Sequence, residues 1–410
     1  MYTVHCPYSC CLGFSSAPCF HSVRAIPSRD RRPSHVVFGQ PSWRLASTQV
    51  ELFVTQLGGQ VGPVTFDRRR RKIQPYSLAP WATEKASAFL PPVIRALRGD
   101  FFCLPFGGNE TPFRGEKHPV HGDTANARWQ FESLVTQGET TSLHLSLKTK
   151  SRSGRVDKKI FLQEDHNALY CQHIVSEMQG PMCLGHHAML KFPESAKSGL
   201  IATSPFVYGQ VLPATFEDPE QGGYSSLEPG AEFGSLQRVP MANGNTADLG
   251  TYPARRGFED LAMIVGDPDQ QFSWTAVTFP KKGFVWFALK NPRILRHTIF
   301  WMSNGGRHYP PWNGRHVNVL GLEEVTAFFH LGLAESVRPN PLSQKGFPTS
   351  VMLNPREPLI VPYIMAVAPI PHGFDRVVSI QPGTDRQSVK LHSASGKEIA
   401  ARINFDFLES

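Results

Sequence analysis

WMSNGGRHYPPWNGRHVNVLGLEEVTAFF, residues Trp301 to Phe329, is the stretch on which the reading of this chain turns. It sets Trp301, Trp312, Tyr309, Arg307, Arg315, His308, His316 and the pair Glu323–Glu324 between apolar runs. Connecting segments are usually polar, without so many rings and fixed charges together. Aromatic faces beside Arg, Asn and carboxylate suit a ligand with apolar C–H faces and a rim of hydroxyls, which describes a sugar. In the Gly321-Leu322-Glu323 step the carboxylate has apolar neighbours, and burial of that kind raises a Glu pKa toward the range of a general base. The competing reading makes the Glu pair a helix cap or a partner of Arg315.

Working outward, 410 residues allow one large or two ordinary domains. A hydrophobic content of 40% with 28 Phe is enough for a sizeable core. No apolar run approaches the ~18 residues of a membrane span, so we expect a soluble body and no membrane partner. The chain has 34 Gly and 35 Pro, punctuation that favours many short strands over long helices. Much of the net charge of +8 lies early, in Arg24, Arg29, Arg31, Arg32 and the run Arg68–Lys72.

Residues 1–41 read as a disordered leader without periodicity. A secretory signal would need basic residues followed by an unbroken apolar core, and neither is present. Cys6, Cys10, Cys11 and Cys19 match no paired zinc-knuckle spacing. Cys103, Cys171 and Cys183 are scattered through apolar sequence, as reduced core thiols of a cytoplasmic protein would be.

Residues 42–410 read as one domain. Val50, Leu52 and Val54 alternate with polar residues up to a Gly58-Gly59 turn. The basic run Arg68–Lys72 then reads as a solvated hairpin tip, since no aromatic platform is interleaved with it, and no nucleic-acid partner is expected. Neither GxGxxG nor a Gly-Lys-Ser/Thr loop occurs, so nucleotide-dependent chemistry has no support.

Five prolines between Pro91 and Pro119 keep the next segment in strand and loop. His118 and His121, three apart, would point to opposite faces of a strand, so no metal site is expected there. His121-Gly122 reads as a tight turn in which Gly lets a ligand approach the backbone. Leu143, Leu145 and Leu147 open a meander, and His186-His187 follow on an apolar strand whose alternation sends one ring inward and one outward. Residues 204–258 read as a long functional connection, a lid or rim. Strands return from Gln271, with a hairpin at Pro280–Gly283 and a last one at Ser395-Gly396.

A His-Gly turn, a strand His and a late Gly-Leu-Glu, in that order, resemble the aldose 1-epimerase (galactose mutarotase-like) superfamily, nearest to a divergent aldose-epimerase-like branch. The matching residues are His121 in HPVHG, His187 in LGHHAMLKFP and Glu323 in VLGLEE, with Arg98 in RALRGDFFCLPFGG where that superfamily has a sugar-contacting Arg. The sequence departs from the pattern at Asp123, where a second Gly is usual, and at Met189-Leu190-Lys191, where Tyr-Phe-Asn is usual.

The resemblance implies an all-β supersandwich of large antiparallel sheets. It also implies anomer exchange of an aldose or sugar phosphate by acid–base ring opening, with neither metal nor cofactor. Glu323 would be the base, His187 as imidazolium the acid, and His121 a partner of the ring oxygen. Arg98, Trp301 and Trp312 would hold the sugar, with Asp267, Arg315 and His186 as further contacts. Two other classes stay open: a noncatalytic carbohydrate-binding protein, and a lyase or hydrolase. The latter is disfavoured because adjacent Glu323 and Glu324 diverge on a strand instead of facing one bond.

Overall fold

A computed structural model describes Arg24–Ala25 and residues 35–410, and the Cys6–Cys19 cluster lies outside the described residues. The described structure includes residues before the expected border at residue 42. His35–Val37 and Gln40–Ala46 form a hairpin that continues through Glu51–Thr55 to Val61–Thr65 as a four-stranded sheet. The rest, among the described residues, is built on two larger antiparallel sheets, one of ten strands and one of eight, with helices of five residues or fewer. Among the described residues, no helix is long and apolar enough to cross a membrane.

The ten-stranded sheet runs through Ala168–Ser176, Leu359–Pro369, Phe284–Lys290 and Ser273–Phe279 at its centre. Every residue of the last two strands is buried, because both faces of the sheet are covered. The period of two sorts their side chains. Val277, Phe279, Trp286 and Ala288 join the main core with the eight-stranded sheet. Trp274, Ala276, Val285 and Phe287 face a second core under the C-terminal sheet Val377–Pro382, Ser388–Ser393 and Glu398–Arg402.

The eight-stranded sheet places Phe258–Gly266, His297–Asn304 and Val319–Thr326 side by side, then Leu184–His186 and Ala188–Lys191 along the far edge of Val319–Thr326. Two of its longer strands depart from the expectation: Phe206–Val211 falls within the segment read as a loop, and Phe258–Gly266 begins at that segment's last residue, ahead of the strands expected from Gln271. The adjacent acids Glu259 and Asp260 hide the second from an apolar pattern. Both are buried there because hydrogen bonds satisfy them: Asp260 accepts from the Ser226 and Leu227 amides and the Ser226 hydroxyl, and Glu259 from Trp301 and Ser303.

Candidate functional site

Register builds the site. Leu261 pairs with Trp301 and Glu259 with Ser303, while Trp301 pairs with Gly321. Directly opposed residues share a face, so Glu259, Leu261, Trp301, Ser303, Gly321 and Glu323 all project from one side of three adjacent strands. The pairings Gly185↔Val325 and Ala188↔Leu322 flank His187 and set it opposite Glu323. At that point the ladder breaks: the His187 amide donates to the Phe101 carbonyl instead, at 2.9 Å. The result brings His187 Nε2 to 3.2 Å from Glu323 Oε1.

His121 arrives from a separate turn, in the left-handed region at φ 59, with Gly122 behind it at φ 74. A Cβ on Gly122 would lie 1.9 Å from the Leu104 carbonyl oxygen. Glycine is therefore required by backbone packing, not by ligand approach as the sequence suggested. The His121 ring meets His187 edge-on at 5.0 Å, and its Nδ1 accepts the Gly107 amide at 3.3 Å. That bond assigns the remaining proton of neutral His121 to Nε2, as a donor.

These groups line a cavity of about 150 Å³ with Trp301, Trp312 and Arg307. At ~30 Å³ per water this is room for about five waters, the scale of one sugar ring. Arg307 lies over the Trp312 ring at 4.5 Å and the Trp301 ring at 5.5 Å. Its charge is met by Glu217 at 2.6 Å, which also accepts the Tyr309 hydroxyl at 3.0 Å. Behind Trp301, Glu259 accepts the indole N–H at 3.0 Å and the Ser303 hydroxyl at 2.9 Å, and His316 stacks on the same indole. Burial pushes Glu259 up to about 7.

Desolvation sets the protonation of the pair. It holds Glu323 well above the usual carboxyl range, with only Arg307 pulling the other way. It drives His187 down to about 4, His330 to about 4 and His121 well below its ordinary value. Burial thus favours the arrangement in which the proton of the pair rests on Glu323 and His187 is neutral, the opposite of the imidazolium expected at His187 from the sequence.

Gly321 carries no side chain for a local reason. A Cβ there would stand 2.8 Å from Glu323 Oε1 and 3.1 Å from the Trp301 Cβ. Gly321→Ala is expected to displace the carboxyl from His187 with the fold kept. A shift of the His187 ring resonances beside an unchanged thermal melt checks this, and unchanged ring resonances would refute it.

Five of the residues named from sequence, His121, His187, Glu323, Trp301 and Trp312, surround this one cavity. Four do not. Arg98 is 1% exposed, and its guanidinium is spent on the Ala96, Val37 and Phe38 carbonyls at 2.8–3.0 Å. It straps the first hairpin to the body and cannot reach a sugar. His186 takes the opposite face, with Nδ1 2.9 Å from Asp100 Oδ2. Asp267 closes its own turn on Asp269 and Gln270. Arg315 pairs with Glu84 at the surface, which clips the loop carrying Trp312. His118 bonds Glu116 beside Arg152 and stays apart from His121.

No protein-family model and no curated protein sequence matches the chain. Solved structures do. A candidate aldose 1-epimerase of Escherichia coli K12 superposes with a TM-score of 0.54 at 16% identity, over 81% of this chain and 100% of that one. A galactose mutarotase-like protein of Clostridium acetobutylicum gives 0.54 at 11% identity, over 85% and 99%. A galactose mutarotase related enzyme of Lactobacillus acidophilus gives 0.52 at 13%, over 80% and 97%. The chain has the galactose mutarotase-like all-β fold.

Proposed function

We propose that the cavity binds a single uncharged aldose ring and exchanges its anomers. The observation that carries this is the Glu323–His187 pair, 3.2 Å apart at the floor of a ring-sized cavity walled by Trp301 and Trp312. Ring opening needs the proton of the anomeric hydroxyl removed and a proton delivered to the ring oxygen. Both oxygens sit on one carbon, so an acid and a base a hydrogen-bond length apart can serve them together. Neutral His187 takes the hydroxyl proton while Glu323 gives its proton to the ring oxygen, and the bond from that oxygen to the anomeric carbon breaks. Rotation in the open aldehyde and the reverse transfer close the other anomer. His121 Nε2–H supports the oxygen on which charge develops.

The charge balance favours a neutral sugar over a sugar phosphate. Arg307 is the cation of the lining, and Glu217 already meets it. Glucose, galactose and glucose 6-phosphate, each followed by polarimetry or by saturation transfer between anomeric protons, test the reading. A free aldose should exchange faster with protein than in buffer, and the phosphate should not. Binding without faster exchange would leave a carbohydrate-binding protein instead.

The pH dependence has a defined sign. Activity needs His187 neutral and Glu323 protonated. It should fall on the acid side near 4, as His187 gains a proton, and on the alkaline side as Glu323 loses one. The His187 ring proton, followed by NMR, should titrate near 4. A midpoint near the ordinary ~6.5 would restore the imidazolium mechanism.

A further inference from the structure

The basic run Arg68–Lys72 takes no part in the Glu323 cavity, yet the fold gives it company. Its turn is fixed: Asp67 and Lys72 adopt left-handed φ of 46 and 51, and the Arg70 and Lys72 amides both donate to the Asp67 carbonyl. Phe66 and Ile73 close its base with two 2.8 Å bonds. Arg71 Nη1 donates to the Gly283 carbonyl, joining this turn to the Pro280–Lys282 turn. The Lys191 amide donates to the Pro75 carbonyl at 2.9 Å, which brings in the end of the Ala188–Lys191 strand.

Three separated segments therefore deliver Arg71, Lys72, Lys191 and Lys282 to one groove of about 640 Å³, and its lining contains no Asp or Glu. All four cations are exposed, and among the described residues none has an ion-pair partner. Gathering four like charges in one concavity raises the local potential and favours a multivalent anion. Lys and Arg are the usual donors to phosphate oxygens. The groove is closed by backbone bonds before any ligand arrives, so little ordering is left for binding to offset.

We propose that this groove binds a compact polyphosphate anion. Its shape argues against a nucleic-acid strand. The rings beneath it, Phe192, Phe279 and Phe284, are 6%, 2% and 8% exposed and offer no face on which bases could stack. The site is independent of the sugar cavity, and its test does not rely on anomer exchange.

Calorimetric titration of the full chain with sodium tripolyphosphate at low salt is the experiment. Saturable 1:1 binding is expected, weakening steadily as salt is added. Lys72→Glu with Lys282→Glu should lose at least about 100-fold in affinity, the scale of two charge-assisted contacts. Lys148→Glu with Lys390→Glu, a charge-matched pair of exposed lysines outside the groove, should change it little. Equal losses from the two double variants would mean a diffuse charge effect and overturn the proposal. So would absence of saturable binding, or a short single-stranded RNA binding much more tightly than tripolyphosphate. A normal melting temperature of the groove variant separates lost binding from lost folding.

Discussion

Glu323→Gln is expected to lower anomer exchange about 10²–10⁴-fold, the usual worth of one positioned acid–base group. The fold should survive, because burial favours the neutral form of the native carboxyl and Gln is a neutral group of the same size. Sugar should still bind, since Trp301, Trp312 and Arg307 remain around the ring. The loss would therefore lie in kcat more than in KM. Polarimetry gives the rate, and ligand-observed NMR gives the binding. A variant that binds sugar and exchanges it at the native rate would remove Glu323 from the mechanism and leave His187 and His121 as the pair to test.

The all-β character of the chain was legible because its evidence is periodic, whereas the galactose mutarotase-like arrangement was implied only by the resemblance of three short motifs. Alternation identified the strands of the central meander, and Leu143, Leu145 and Leu147 do enter the core. Alternation also separated His186 from His187, and Glu323 from Glu324, before any contact was known. The strand Phe258–Gly266 escaped because Glu259-Asp260 interrupts the apolar pattern. Those acids are tolerated only by partners far away in sequence, at residues 226–227 and 301–303.

The same limit explains the site. His121, His187 and Glu323 stand in short motifs whose order survives, while the cation that reaches the cavity does not. Arg98 and Arg307 look equivalent in sequence, each beside Gly in an aromatic-rich stretch. Only the tertiary partners distinguish them: three carbonyls exhaust Arg98, whereas Arg307 lies across Trp301 and Trp312. A signal for Arg307 was present in the opening stretch, flanked by the two Trp that it joins. Nothing in the sequence tied Glu217, ninety residues earlier, to it.

The neighbour of Glu323 supplies the sharpest contrast. Glu324 points to the other side of the strand, into the space between the two large sheets, where it meets buried Lys290. Thr275 donates to its Oε1 at 2.9 Å and Thr298 to its Oε2 at 2.7 Å, while Lys290 also donates to the His297 carbonyl. Burial pulls the Lys290 pKa down and Glu324 opposes that pull, so the ammonium depends on its partner. Glu324→Gln, harmless to a sequence reader who knows only that it faces away from the ligand, is expected to cost about 3–5 kcal/mol by leaving a buried charge unpaired. Chemical denaturation should show this as a lower midpoint with an unchanged slope. Replacing both partners, Glu324→Leu with Lys290→Met, should recover most of the loss, because an apolar pair of similar volume replaces an ion pair at little cost. If the double variant is as unstable as the single one, the damage comes from the threonine hydrogen bonds and not from the stranded ammonium. Anomer exchange per folded molecule should be close to native in both, which would separate the residue that holds the sheets together from the one beside it that moves protons.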